Sequence, residues 1–216
     1  MRALLRLAAV MVALTIAAAG CNSKPPDYQS IWSSTPTTTS AAPIDNPVPF
    51  SQYLESNGVS GSPVEPESLT DLTVSIPVPP GWQRINRPNI PPTTELIARA
   101  DAFPNAMLIV FKLGGAFDAA EMAKHGNDDA RLAQNFTQLE SSNADFHGFP
   151  SSMVEGSYNL GSQRLHTINR IVIAHGPGED PDRYLVQLAV TSLADKAVDD
   201  AVDIEAIIHG FTVAAK

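Results

Sequence analysis

Between Met153 and Thr191 three strand-forming stretches follow one another with only turn residues between them, and this succession limits the fold more than any other feature of the chain. Met153 to Tyr158, Leu165 to Ala174 and Tyr184 to Thr191 are the three. In the last, Tyr184, Val186, Leu188 and Val190 recur at period two and mark one buried face. Gly161 and the run Gly176-Pro177-Gly178-Glu179-Asp180-Pro181-Asp182 are turn signals. A doubly wound parallel sheet needs a helix between most of its strands, and none fits here. Neighbouring strands must therefore run antiparallel.

The upstream half adds to that sheet. Leu72 to Ile76 alternates apolar and polar residues and is stopped by Pro77, Pro79, Pro80 and Gly81. Glu95 to Ala100 is another strand candidate. Met107 to Leu113 is apolar on both faces, which predicts a central strand covered on both sides, ended by Gly114 and Gly115. A helical turn or two is expected over Phe50 to Asn57, ended by Gly58. Asp118 is a good N-cap, and the spacing of Met122, Leu132, Ala133 and Phe136 predicts a helix from Ala119 to about Leu139, with Gly126-Asn127 placed to kink or split it. Asp145 to His147 is a short further strand candidate, with Gly148 as a turn residue. A last helix is expected from about Asp195 to Phe211. Ala197, Ala201, Ile204, Ile208 and Phe211 would line its buried side, with Asp199, Asp200 and Asp203 off it. The order helix, strands, helix, strands, helix is that of an α+β fold, a mostly antiparallel sheet flanked by helices.

The N-terminus reads as an export signal. Arg2 and Arg6 precede an apolar run from Leu7 to Ala19, shorter than the roughly 20 residues that cross a membrane. The run closes on Ala18-Ala19-Gly20-Cys21, small residues before a cysteine, as lipoprotein signal peptidases require, although Ala18 stands where Leu is usual. Residues 1–20 are expected to be cut away and Cys21 to carry lipid. Cys21 is the only cysteine, so no internal disulfide is possible. Two or three acyl chains on it give the stable membrane anchoring that one chain does not. Residues 21–49 follow as a stalk. The run Ser33-Ser34-Thr35-Pro36-Thr37-Thr38-Thr39-Ser40 and six prolines leave too little apolar surface to offset ordering, whether the stalk is O-glycosylated or bare. Residues 50–216 make one domain.

Cleavage removes two arginines and no acid, so the net charge moves from -9 to -11. An acidic surface repels nucleic acid and anionic headgroups, so no nucleic-acid partner is expected and membrane contact falls to the lipid. The motifs of serine hydrolases, zinc proteases, phosphate-binding loops and dinucleotide sites are absent. Two acidic or histidine groupings and one glycosylation-like triplet stand out. His125 and Asp129 lie one helical turn apart and fit a helix-surface hydrogen bond better than a catalytic or metal pair. Glu179, Asp180 and Asp182 lack the spacing of a calcium loop and fit a solvated hairpin tip. Asn135-Phe136-Thr137 matches the N-glycosylation pattern by chance, Phe136 being assigned to the apolar face of the helix. Arg164 and Arg170 flank an apolar strand and are assigned to surface solvation. Trp82, after Pro79-Pro80-Gly81, either plugs the end of the first strand or rims a ligand groove, and is the tentative groove residue. No catalytic, cofactor-binding or metal-ligating residue is assigned.

Several segments resemble the LpqN/LpqT family of mycobacterial lipoproteins, most closely its LpqT branch. They are Asp71 to Pro77 with Pro80-Gly81-Trp82, Lys124 to Ala130, Gly148 to Ser152 with Gly156-Ser157-Tyr158, Tyr184 to Leu188, and Asp203 to Ile208. The resemblance implies a PsbP-like fold and an actinobacterial cell envelope, with links to mycolate-glycolipid export and to host proteins, and brings no catalytic residues. The expected function is a non-enzymatic, envelope-anchored module binding a protein partner or an acylated, mycolate-type glycolipid, on the outer face of the cell membrane and surface-exposed. The alternatives are a hydrolase of envelope esters, or a structural or immune-ligand lipoprotein acting through its lipid.

Overall fold

A computed structural model describes residues 46–216; the signal segment, Cys21 and most of the stalk lie outside the described residues. The three successive strands form the centre of the sheet, as their short turns require. They are β7 (Ser151–Leu160), β8 (Gln163–His175) and β9 (Arg183–Leu193). β9 pairs antiparallel with β5 (Asn105–Gly114), in a register that sets Leu188 opposite Leu108 and Val186 opposite Val110. The order is β3-β4-β5-β9-β8-β7-β6, with β3 (Gln83–Arg84), β4 (Glu95–Ala98) and β6 (Thr137–Ser142). β1 (Ser60–Val64) pairs with the C-terminal half of β5, where β4 has ended. The α+β antiparallel architecture expected from the strand spacing is the one observed.

The period-two alternation gives the sheet two faces with different covers. Ile168, Val172, Val186, Leu188 and Val190 face α4 (Ala197–Gly210) and a two-stranded ribbon of β2 (Leu72–Ser75) and β10 (Thr212–Ala215), and Ile204, Ile207, Phe211, Leu72 and Val213 complete this main core. Ile171, Ile173, Leu185 and Leu113 face the other way, onto α1 (Phe50–Ser56) and α2 (Ala119–His125), which contribute Phe50, Met122 and Ala123. Both sides of β5 are therefore covered, as its unbroken apolar run predicts. β10 and its pairing with β2 were not expected from the sequence.

The long helix expected over 119–139 does not form. α2 ends at His125, one turn follows as α3 (Asp128–Arg131), and Thr137–Ser142 is strand. Gly126 lies flush on β8, where a Cβ would come within 2.7 Å of the Ile171 side chain, so the chain must turn there. Asn127 leaves helical geometry at φ -107° and ψ 13° and sends its amide into the sheet. The edge of β7 then captures residues 137–142 by ladder hydrogen bonds, which outweigh helical periodicity. Leu132, expected on the buried face, is exposed. Asp145 to His147 is a turn closed by a Phe146–Phe149 bridge, with His147 and Gly148 at positive φ.

The last helix keeps its expected apolar side, and Ile207 joins it. Asp200 departs from the expectation, being only 3% exposed. The Arg99 guanidinium pairs with Asp200 and reaches Asp203 at 2.9 Å, while the Trp82 indole N–H donates to the same Asp203 carboxylate at 3.0 Å. Trp82 is thus a core plug with its polar tip satisfied inside the fold. The tentative groove role is corrected, because a buried ring with a committed N–H offers no rim.

Candidate functional site

α1 begins at Phe50 directly after Pro49 and has no capping side chain of its own. Asp129 of α3 supplies the cap from a distance, its Oδ1 accepting from the Phe50 N–H at 3.1 Å. The Tyr53 ring stacks on His125 of α2, centroids 3.9 Å apart. α1 is thereby held over β5 and β9, with Phe50 packed against Leu113 and Leu185. A groove of about 310 Å³ is left between helix and sheet. Phe50, Leu54, Val59, Phe111, Leu113 and Leu185 form its walls, and Ser51, Glu55, Asp129 and Gln187 supply its polar side chains. No lysine or arginine lines it.

Gln187 is tied into a buried amide ladder crossing this face of the sheet. Its Nε2 donates to Asn169 Oδ1 at 2.9 Å, Asn169 Nδ2 donates to Asn127 Oδ1 at 2.7 Å, and Asn127 Nδ2 donates to Ser152 Oγ at 2.9 Å. Asn127, Asn169 and Ser152 are buried, so each amide needs these partners. All three amides donate in the same direction, away from the groove, which strengthens the chain of bonds and fixes the Gln187 side chain.

The family model described as "Probable lipoprotein LpqN" matches residues 46–214. LpqT of Mycobacterium tuberculosis, named as a lipoprotein, is 57% identical over 98% of this chain and 94% of its own length. The chain belongs to the LpqN/LpqT lipoprotein family. LpqT of Mycobacterium leprae is 54% identical over 98% of this chain and 97% of that one, and the proline-rich 28 kDa antigen of M. tuberculosis is 36% identical over 76% of this chain and 53% of its own. The crystal structure of LpqN, involved in cell envelope biogenesis of M. tuberculosis, superposes with a TM-score of 0.66 at 20% identity, covering 78% of this chain and 99% of that one, and so shares the fold.

Elsewhere in this LpqN/LpqT chain the residues weighed from sequence serve the structure. His125 Nδ1 lies 3.0 Å from the buried Asp128, which also accepts from Arg131 Nη1 at 3.1 Å; the expected His125–Asp129 pair is replaced, because Asp129 caps α1. Asp182 pairs with Lys112 at 2.6 Å. Among the described residues no three His, Cys, Asp or Glu converge as metal ligands. Arg164 and Arg170 are not surface solvators. Arg164 hydrogen-bonds the Asn135 carbonyl, Asn159, Thr137 and Ser157, pinning β6 to β8. Burial pulls the Arg170 guanidinium down to about 10 against the opposing charge of Glu140, and it lies 4.8 Å over the Phe146 ring. Phe136 stands outside any helix and packs on Gly156, where a Cβ would come within 2.6 Å of its ring.

His166 is the one histidine held rigidly inside a strand. Its Nε2 lies 2.9 Å from Glu155 Oε1, and both residues are buried. Ser192 sits opposite it in the β8–β9 ladder. Ser192 Oγ is fully buried and hydrogen-bonds nothing among the described residues, so the three side chains do not assemble the nucleophile–base contact of a serine hydrolase.

Proposed function

We propose that this chain is a non-enzymatic, lipid-anchored binding module of the cell envelope, and that the groove under α1 takes the acyl chain of an envelope glycolipid. The observation that carries this reading is the groove itself: walls of Phe, Leu and Val, with polar side chains gathered in a few places. Its 310 Å³ lies at the lower end of the roughly 300–1,000 Å³ of small-molecule sites, which are mostly apolar with few polar groups. An acyl chain asks for such a surface, since each buried methylene contributes about 0.8 kcal/mol and requires no hydrogen bond.

The anchor reading supports the same assignment. Lipid on Cys21 would hold the domain at the outer face of the membrane, where acylated molecules are concentrated, and α1 is the first element among the described residues. Among the described residues no helix is long and apolar enough to cross a membrane. LpqN's involvement in cell envelope biogenesis agrees with this role.

Photocrosslinking locates the ligand. A glycoside with a diazirine-bearing dodecyl chain, irradiated with the protein and mapped by peptide mass spectrometry, should label peptides containing Phe50, Leu54, Phe111 and Leu185. Labelling confined to α4, or spread evenly over the surface, would contradict the assignment.

A further inference from the structure

The outer face of α4 carries side chains that the fold itself does not use. Val198 and Val202 lie one helical turn apart, are 81% and 78% exposed, and with the exposed Ala206 form an i, i+4, i+8 ridge along the solvent side. The other side of the helix is fixed in the main core by Ile204, Ile207 and Ile208, and Asp200 is held by Arg99. Valine at a solvated helix position disfavours the helix relative to alanine and offers water no polar group. At the C-terminal end of α4 a second element extends the apolar surface. A Cβ on Gly210 would come within 2.6 Å of the Pro77 ring, which sets the exposed Val78 beside that end of the ridge.

Carboxylates border this ridge. By helical position Asp199 and Glu205 fall on its opposite flanks, and the exposed Asp195 precedes it. Asp199 pairs with Lys196 at 3.3 Å, whereas Asp195 and Glu205 have no hydrogen-bonding or ionic partner among the described residues. Each lysine and arginine among the described residues is already engaged by a carboxylate, carbonyl or hydroxyl of the fold. A second copy of the chain would therefore bring acid against acid, and anionic headgroups would be repelled by the same border. The surface that fits is the reverse pattern, apolar side chains flanked by positive charge.

We propose that the outer face of α4 docks a protein partner through an amphipathic helix whose apolar ridge is flanked by lysine or arginine. From Val198 to Gly210 the ridge is about 18 Å long, which about three turns of a partner helix would cover. An i, i+4 ridge is the geometry that interdigitates with a second helix. Because the inner side of α4 is locked in the core, the ridge is presented without reordering, which lowers the cost of association. α4 covers the face of the sheet away from α1, so a partner on α4 does not compete for space with a molecule in the groove under α1. The proposal stands apart from the reading of that groove and makes the domain two-sided, able to hold a ligand on one face while docked by the other.

The test uses residues 21–216 with Cys21→Ala and two helical peptides of the length of α4. One has leucine at every fourth position with lysine on both flanks of that row; the other has glutamate in place of each lysine. At physiological salt, where the Debye length is about 8 Å, calorimetry should give the lysine peptide a micromolar Kd, at least about tenfold tighter than the glutamate peptide. Amide NMR shifts should centre on Val198, Val202, Ala206 and Val78. Val198→Ser with Val202→Ser should weaken the lysine peptide about tenfold, Glu205→Lys about threefold, and Leu185→Trp, which fills the groove under α1, not at all. The proposal is overturned if the lysine peptide does not bind, if the glutamate peptide binds as tightly, if the valine variant binds unchanged, or if Leu185→Trp weakens binding. It is overturned as well if the parent chain, and not the valine variant, sediments with phosphatidylglycerol vesicles or as a dimer, since the ridge would then serve a membrane or a second copy. Should the valine variant not fold, Glu205→Lys decides alone, an unchanged affinity for the lysine peptide overturning the proposal.

Discussion

Cys21→Ala, exported behind an ordinary secretory signal so that residues 1–20 are still removed, should move the protein almost completely from the membrane pellet to the soluble fraction. Nothing else in the mature sequence offers a comparable hold. On the proposed cleavage before Cys21 the apolar run of residues 7–19 leaves with the signal, and no described helix can span a bilayer. The mature net charge of -11 opposes adsorption to anionic headgroups. A diacylated residue, by contrast, buries dozens of methylenes at about 0.8 kcal/mol each. Fractionation after a high-salt wash, followed by immunoblotting, measures the outcome. Persistence in the pellet would mean that a surface of the folded domain binds the membrane by itself.

Arg99→Met should cost about 3 kcal/mol, with a fall in Tm of roughly 6–12 °C for a domain of this size. Asp200 is 3% exposed and its carboxylate is paired with Arg99. Removing the guanidinium leaves a charge in the interior without its partner, the costly way to break a buried pair. The expected loss is set at the low end of that class because the Arg99 side chain is 38% exposed, so water can reach the vacated place. Asp203 suffers less, since the Trp82 indole still donates to it. The double variant Arg99→Met with Asp200→Leu should recover most of the loss, because an apolar pair of similar volume is tolerated where a lone charge is not. Urea unfolding of the three proteins measures this, and an Arg99→Met change within about 0.5 kcal/mol of the parent would show the pair to be no more than a surface contact.

Asp200 also shows where the sequence was legible and where it was not. The central strands declared themselves through period-two alternation and glycine-rich turns, because local pattern and tertiary burial agree there. Helical spacing placed Asp199, Asp200 and Asp203 together on the outside. The inward turn of Asp200 depends on Arg99, which the sheet brings in from the end of β4. Residues 137–139 scanned as the end of a helix because nothing in the composition of this stretch reveals the edge of β7 that captures residues 137–142. β10, at the end of the chain, becomes a strand by pairing with β2, far away in sequence.

The groove was the least legible feature. Its walls come from α1, β5 and β9, and its shape depends on a cap lent by Asp129 to a helix 79 residues upstream. Gln187 alternates with the apolar face of Tyr184, Val186, Leu188 and Val190, and nothing in that pattern singles it out. The face of the sheet that carries Gln187 is covered, and the side chain joins three buried amides and hydroxyls. A cluster of Asn and Ser across Asn127, Ser152 and Asn169 is invisible as a pattern until the strands are in register. The residues on which the export and lipidation expectation rests, Arg2 to Cys21, are contiguous in the sequence and lie outside the described residues.

The claim that the groove under α1 holds an acylated envelope molecule is tested most directly by native mass spectrometry of the chain purified from its own envelope, beside a Leu185→Trp variant whose indole fills the groove. The wild-type protein should carry a non-covalent mass that dissociates on collisional activation as an acylated glycolipid, and the variant should fly without it. Identical spectra for the two proteins, whether both bare or both loaded, would contradict the account.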